Sequence, residues 1–348
     1  MLVHEVMSST LPKPASYVPY RQVGSQPNII VDGAPLKSTV LALSHWPNNS
    51  TPERLKRDTS TGTVFAYLAD PDMHQDVAIV SNNHFDEDGL FSMFGLVWPE
   101  IAMANRELLI DAANAGDFGV YNARTAARLC FAIESFAAAD CSPLPSSTFD
   151  GCERQQVAAL YIEMLKRLPE LLENLDGFRE FWDQQDRHLS ESESLIANGR
   201  IRLEEIPEAD LAVVHIPPDI PARQVRRYLQ AEAAAVHPFA IHGVTQCNRI
   251  LRLQGRQCEL QYRYESWVQL VSRRPKLRVD LQALCQRLNG MEKGAGTWRC
   301  ESVDEVAPRM YLEGSKETAI GVPTLIEEIC SYLADAPVAW DPYDWQAD

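Results

Sequence analysis

The chain has 348 residues, 45% hydrophobic and 23% charged, so it is globular in composition and longer than one ordinary core requires. Its formal charge of -16 argues against sequence-independent binding to nucleic acid or to an anionic membrane, since phosphate repels a uniformly negative surface. An anionic ligand must meet a local positive region or a bound metal.

The opening residues 1–28 hold four prolines and no sustained periodicity, which predicts a surface arm. They lack a basic start followed by an apolar core, and no later run has the 18 or so apolar residues of a membrane span. The eight cysteines form no CxxC pair, so neither structural zinc nor a disulfide framework is expected, and a cytoplasmic location follows.

After the arm, NIIVDG reads as a strand, and STVLALSHWP as a second that stops at His45 and Pro47. Ser50, Thr51, Pro52 and Glu53 then predict a helix start. DVAIV is a short buried strand, and LFSMFGLVWPEIAMANRELLIDAANAG is helical with a break at Pro99. Alternating strands and helices predict an α/β fold with a parallel sheet flanked by helices, and a second, smaller α+β domain. On this reading 1–28 is the arm, 29–205 the α/β domain that carries the metal site, with a helical acidic segment over 123–200, and 206–348 the smaller substrate-binding domain. Within the last, DLAVVHIP, RILRLQG and CELQYRYESWVQLVS read as strands, and PARQVRRYLQAEAAAV, DLQALCQRLNG and TLIEEICSYLADA as helices.

His45 and His84 both fall just past strand ends, where open α/β sheets place their ligands. In His84-Phe85-Asp86-Glu87-Asp88-Gly89 an extended backbone puts His84, Asp86 and Asp88 on one side, with Phe85 and Glu87 pointing away. Imidazole plus carboxylates suits manganese, iron or zinc better than calcium. An EF-type calcium loop counted from His84 needs a glutamate where Gly95 stands, so that reading fails. The competing reading is that the acids cap the next helix, although three adjacent carboxylates exceed what capping needs. Asp117, before a turn at Gly119, is a further metal ligand or catalytic group, with Asp111 as its alternative. His45 is a candidate for ligation or proton transfer, and His237 and His242 are weaker ones.

Strand, then [HD]xDxDG, then an apolar helix resembles the first motif of the DHH phosphoesterase superfamily. The chain also resembles a bacterial family that carries SHWP and NHFDEDG motifs and brings no function with it. The DHH resemblance implies a manganese pair in a parallel-sheet domain, with His84, Asp86 and Asp88 as first-motif ligands, and a smaller domain that binds substrate. The Asp-His-His triplet itself is absent; the nearest approximation is Asp186-Arg187-His188. RVDLQALCQRLNGMEKGAGTW resembles the DHH-associated domain, with Gly290, Gly294 and Gly296 present and Lys293 in place of a histidine.

Between 249 and 278 the chain holds Arg249, Arg252, Arg256, Arg263, Arg273, Arg274, Lys276 and Arg278. Forked guanidinium donors suit phosphate, so Arg249, Arg273, Arg274 and Lys293 are the expected substrate contacts. Tyr262, Tyr264 and Trp267 offer stacking surfaces, although the same alternation describes a half-buried sheet. The expected function is hydrolysis of a small nucleotide or short oligonucleotide by metal-activated water, with a divalent metal, Mn2+ by preference, as cofactor. The expected partner is a small anionic substrate, not long duplex nucleic acid or membrane, and a homodimer is compatible with this. The alternatives are a metal hydrolase acting on a non-phosphate substrate and a non-catalytic binder of a ligand or partner.

Overall fold

The computed structural model describes residues 11–344 as a mixed α/β protein; the first ten residues of the expected arm and the last four of the chain lie outside the described residues. The chain divides into two compact units. The first comprises residues up to Arg187 together with Gln224–Glu232 and Leu270–Arg273, and the second the remainder. No described helix is long and apolar enough to cross a membrane.

The first unit is built on four parallel strands, β1 (Ser16–Tyr17), β2 (Asn28–Val31), β3 (Thr39–Leu43) and β4 (Ile79–Ser81), in the order β1-β4-β2-β3. Part of the expected arm is therefore a strand, because the Ser16 amide bonds the carbonyl of Ala78 beside β4. Helical crossovers hold only in part. β3 reaches β4 through helix α1 (Ser60–Leu68), but β2 turns back to parallel β3 through residues 32–38 alone. Buried Asn28 secures that short return, donating to Ser38 Oγ at 3.0 Å and accepting from Thr39 Oγ1 at 2.9 Å.

Helix α1 begins later than Ser50 and Pro52 predicted. Thr51 is taken up by the loop after β3, where its hydroxyl donates to the carbonyls of Ala42 and Ser44. Thr59 caps the helix instead, accepting from the Gly62 amide at 3.0 Å. The chain then forms α2 (Glu87–Val97), α3 (Pro99–Ala104), α4 (Arg106–Phe118), α5 (Arg124–Phe136), α6 (Glu153–Glu173) and α7 (Asp183–Ala197), with the break at Pro99 as read from the sequence. Ile30, Leu43, Phe65, Phe91, Phe94 and Phe131 are fully enclosed, each stabilising the fold by roughly 1.5–3 kcal/mol.

The second unit holds a mixed six-stranded sheet. Its strands are β5 (Arg202–Ile206), β6 (Leu211–Ile216), β9 (Arg249–Gln254), β10 (Gln257–Tyr262), β11 (Thr297–Cys300) and β12 (Arg309–Glu313), parallel only between β6 and β9. Leu251, Leu260, Trp298 and Met310 of the sheet pack with Leu284 and Leu288 of one helix (Gln282–Met291) and Leu325 and Ile329 of another (Val322–Asp335).

The segment PARQVRRYLQAEAAAV is a hairpin, β7 (Arg223–Arg227) and β8 (Gln230–Ala234), not the helix its composition predicts. Its tip places Tyr228 and Leu229 at φ 52° and 58°, the left-handed pair that a two-residue hairpin turn requires. Tertiary bonds override helix propensity here, because the Glu134 carboxylate accepts the Leu229 amide and Gln185 Oε1 accepts the Arg226 amide.

Candidate metal centre

Three loops leave the C-terminal ends of neighbouring strands and bring their first residues together. β2 delivers Asp32, β3 delivers His45, and β4 leads through Asn82 and Asn83 to His84. Because β2 lies between β4 and β3, Asp32 stands between the two histidines. Its Oδ2 is 3.2 Å from His84 Nε2 and its Oδ1 is 3.5 Å from His45 Nε2.

Asp32 adopts φ 44°, an uncommon conformation that aspartate tolerates better than most residues. Ser60 Oγ donates to its Oδ1 at 2.8 Å. A Cβ on the next residue, Gly33, would sit 2.3 Å from Asn83 Oδ1 and 2.7 Å from Asn82 Oδ1, so a larger residue there would displace both asparagine side chains. The aspartate escaped the sequence reading, although NIIVDG ends a strand in the same way as SHWP and NNHF.

His45 is held by its other nitrogen. Nδ1 lies 2.6 Å from the Asp58 carbonyl, which can only accept, so Nδ1 donates and the neutral ring keeps its lone pair on Nε2. That atom faces Asp32 Oδ1 at 3.5 Å, Asp88 Oδ2 at 3.7 Å and Asp117 Oδ2 at 3.6 Å. These separations are too long for direct hydrogen bonds. They are close to the roughly 3–3.6 Å between donors that surround one shared ion about 2.1 Å from each.

The acidic run after His84 plays several parts at once. Asp86 caps α2, accepting the Gly89 amide on Oδ1 at 2.7 Å, while its Oδ2 meets His84 Nε2 at 2.8 Å. Asp88 accepts the amides of Ser60 and Thr61, each at 2.7 Å, and so ties α2 to the start of α1 while facing His45. Capping and site geometry are therefore one arrangement. Phe85 and Glu87 turn away from the cluster, but inward: Phe85 packs edge-on against Tyr161, and Glu87 accepts from the Cys130 thiol beside Gly116.

Asp117 ends α4 just before the left-handed Gly119, and its Oδ2 has no hydrogen-bond partner among the described residues. Its carbonyl accepts from Arg227 Nη2 and Tyr228 Oη, both at 2.9 Å, from the β7–β8 tip. Asp111 does not join the cluster, since it accepts the amides of Asn122 and Ala123 ahead of α5.

Two overlapping donor groups result, Asp32 with His45 and Asp88, and Asp32 with His84 and Asp86; each brings its candidate ligand atoms within 4.8 Å of one another and could hold a metal ion. Without a cation the negative charge is poorly tolerated. Burial, and then repulsion from Asp32, pushes the Asp88 carboxyl up to about 6. Burial and the carboxylates of Asp88, Asp86 and Asp32 hold Asp117 well above the usual range. For Asp32 burial works upward, but the hydrogen bond and positive charge of His84 chiefly outweigh it and leave the carboxyl low. For His84 burial works downward, but Asp86 and Asp32 carry the imidazole well above its usual value. Behind the centre, burial raises Glu134 to about 7, and burial together with Glu134 holds Glu87 well above the usual carboxylate range.

Other expected site residues lie elsewhere. Asp186 is paired with Arg124 and Arg128, and His237 caps a short helix (Pro238–His242). The expected arginine clamp is largely spent on the fold. Arg249 is buried and donates to the carbonyls of Ala209 and Leu277, so it cannot serve as an open substrate contact. Arg252 pairs with Glu259, Arg263 with Glu265, and Arg278 is enclosed among the carbonyls of Val303, Glu305 and Val306. Arg274 stacks on Tyr343, while Lys293 is exposed after the Gln282–Met291 helix. Arg273 belongs to the first unit, in a segment whose Val271 and Ser272 amides bond the Asp58 carboxylate.

Residues 13–344 match the model of a family of unknown function (DUF6687), and the chain belongs to that family. No curated protein and no solved structure matches it.

Proposed function

We propose that this family member is a metal-dependent phosphoesterase whose two overlapping donor groups, which share Asp32, would each hold a divalent ion. The observation that carries the reading is the setting of His45 Nε2, whose lone pair faces carboxylate oxygens of Asp32, Asp88 and Asp117 at 3.5, 3.7 and 3.6 Å, a crowding of negative charge at the spacing of donors around one ion. A cation removes that repulsion, and Asp32 offers its second oxygen to the His84 group. His45, Asp32, Asp88 and Asp117 would hold one ion, and Asp32, His84 and Asp86 the other. Manganese suits the mixed oxygen and imidazole donors.

A divalent pair supplies a water of lowered pKa and neutralises charge on a phosphoryl oxygen. The protein's own contribution is positional. The Asp58 carbonyl fixes the His45 tautomer, Ser60 orients Asp32, and the Ser60 and Thr61 amides orient Asp88. The reading is in keeping with the DHH-like first motif, with SHWP and NIIVDG supplying what the motif lacks.

The same donors would also serve a hydrolase of carbon-centred esters or amides. The test is a panel of phosphomonoesters, phosphodiesters, amides and carboxylic esters assayed with Mn2+. Metal-dependent turnover confined to the phosphoesters, and lost by ~100-fold or more in Asp32→Asn, supports the proposal. Turnover of amides or carboxylic esters alone, or substoichiometric metal in protein purified without chelator, contradicts it.

A further inference from the structure

The end of β1 carries a second hollow beside the centre. A cleft of about 430 Å3 opens between the chain that leaves β1, the Asn82-Asn83 segment and the first turns of α6. Its floor is the approach to His84. Its wall is joined to the Asp32 loop, because Asn83 Oδ1 accepts the Ala34 amide at 2.8 Å and Tyr20 Oη donates to the Ala34 carbonyl at 2.9 Å.

The lining is chemically unusual for so acidic a chain. It includes Arg21 and Arg154 and no aspartate or glutamate, against an overall charge of -16. Both arginines are exposed, and neither guanidinium is paired with a carboxylate among the described residues. Arg154 and Gln155 lie in the first turn of a 21-residue helix, whose dipole favours an anion at this end, while the Gln155 amide and side chain close the cap with Cys152. Tyr17 lies against Tyr161 with ring centroids 5.0 Å apart, and its buried hydroxyl has no hydrogen-bond partner among the described residues. That unmet donor belongs to the lining of the same cleft as the two arginines, and an acidic oxygen would satisfy all three.

We propose that this cleft is an anion subsite that holds a phosphate group of a small ligand, between Arg21 and Arg154 and within reach of the Tyr17 hydroxyl. Resting on the phosphoesterase reading, it assigns the substrate class as a compact molecule with a phosphate besides the one that reacts. The positive region that the bulk charge requires then lies beside the metal centre, in the segment the sequence presents as an arm.

The test uses the full chain stripped of metal with chelator, with inorganic phosphate and adenosine 5′-monophosphate as probes in calorimetric titrations. The proposal expects both probes to bind without metal, and the Arg21→Ala/Arg154→Ala double variant to lose about tenfold or more in affinity while its metal content matches the parent. Tyr17→Phe should lose about threefold to tenfold. No binding by the parent, or unchanged binding by the double variant, overturns the cleft and leaves the phosphoesterase reading standing. Arginine-dependent phosphate binding in a protein that takes up no metal keeps the cleft and overturns the phosphoesterase reading.

Discussion

The two histidines of the centre share one aspartate and differ in everything around it. The His45 side is closed: the side chains of His45 and Asp88 have no exposed surface and that of Asp32 has 1%. The His84 side is a rim, with 27% of the His84 side chain and 21% of Asp86 exposed, and Trp46 packed against the imidazole at 4.8 Å. Burial strengthens electrostatic attraction and slows exchange with solvent. On the proposed reading, an ion at His45 would be a resident, and one at His84 would be accessible to substrate and water.

Asp32→Asn should have the largest effect, since asparagine keeps the left-handed backbone but loses the charge shared by both positions. Metal content should fall from two equivalents to one or none. Retention of both ions would break the bridging role.

Asp86→Asn and His45→Gln separate the two sides. The first should release only the exchangeable ion, weakening it by ~10–100-fold, and the second should remove the resident ion. Equal loss from both variants would erase the distinction between rim and interior.

The pH dependence of the metal-free chain sharpens the same contrast. Asp88 at about 6 and Glu134 at about 7 lie above their ordinary values, and His84, Asp117 and Glu87 are held well above theirs. Groups raised on folding bind protons more tightly in the native state, so their contribution is present at low pH and lost as pH rises through the folded values. The lowered carboxyl of Asp32 acts oppositely, but only below its ordinary 3.8, outside this window. Thermal unfolding of chelator-treated protein should move to lower temperature between pH 5 and pH 8, and Mn2+ should reverse the loss at pH 8. A flat or rising profile would contradict the buried cluster of charge.

Tyr228→Phe should give the smallest effect. It removes one of the bonds to the Asp117 carbonyl, for about 1 kcal/mol, and should be felt by the resident ion only.

What the sequence made legible follows local signals. The strands that end at His45 and near His84, the break at Pro99 and the acidic helices could be read from runs, periods and proline. Asp32 was hidden because a lone aspartate before glycine looks like a turn, and only the strand order places it between two histidines. The β7–β8 hairpin was hidden because RRYLQAEAAA carries helix-forming residues, and it is Glu134, Gln185 and Asp117 that pin it as strands. The arginines of 249–278 looked like a clamp because sequence shows charge but not the carbonyls that consume it.

The central claim is that Asp32 joins two ion positions. Anomalous diffraction from Mn2+-soaked crystals of the parent and of Asp86→Asn measures this most directly. Two peaks are expected in the parent, one on each oxygen of Asp32, with only the His45-side peak surviving in the variant. A single peak away from Asp32, or no peak in the parent, would contradict it.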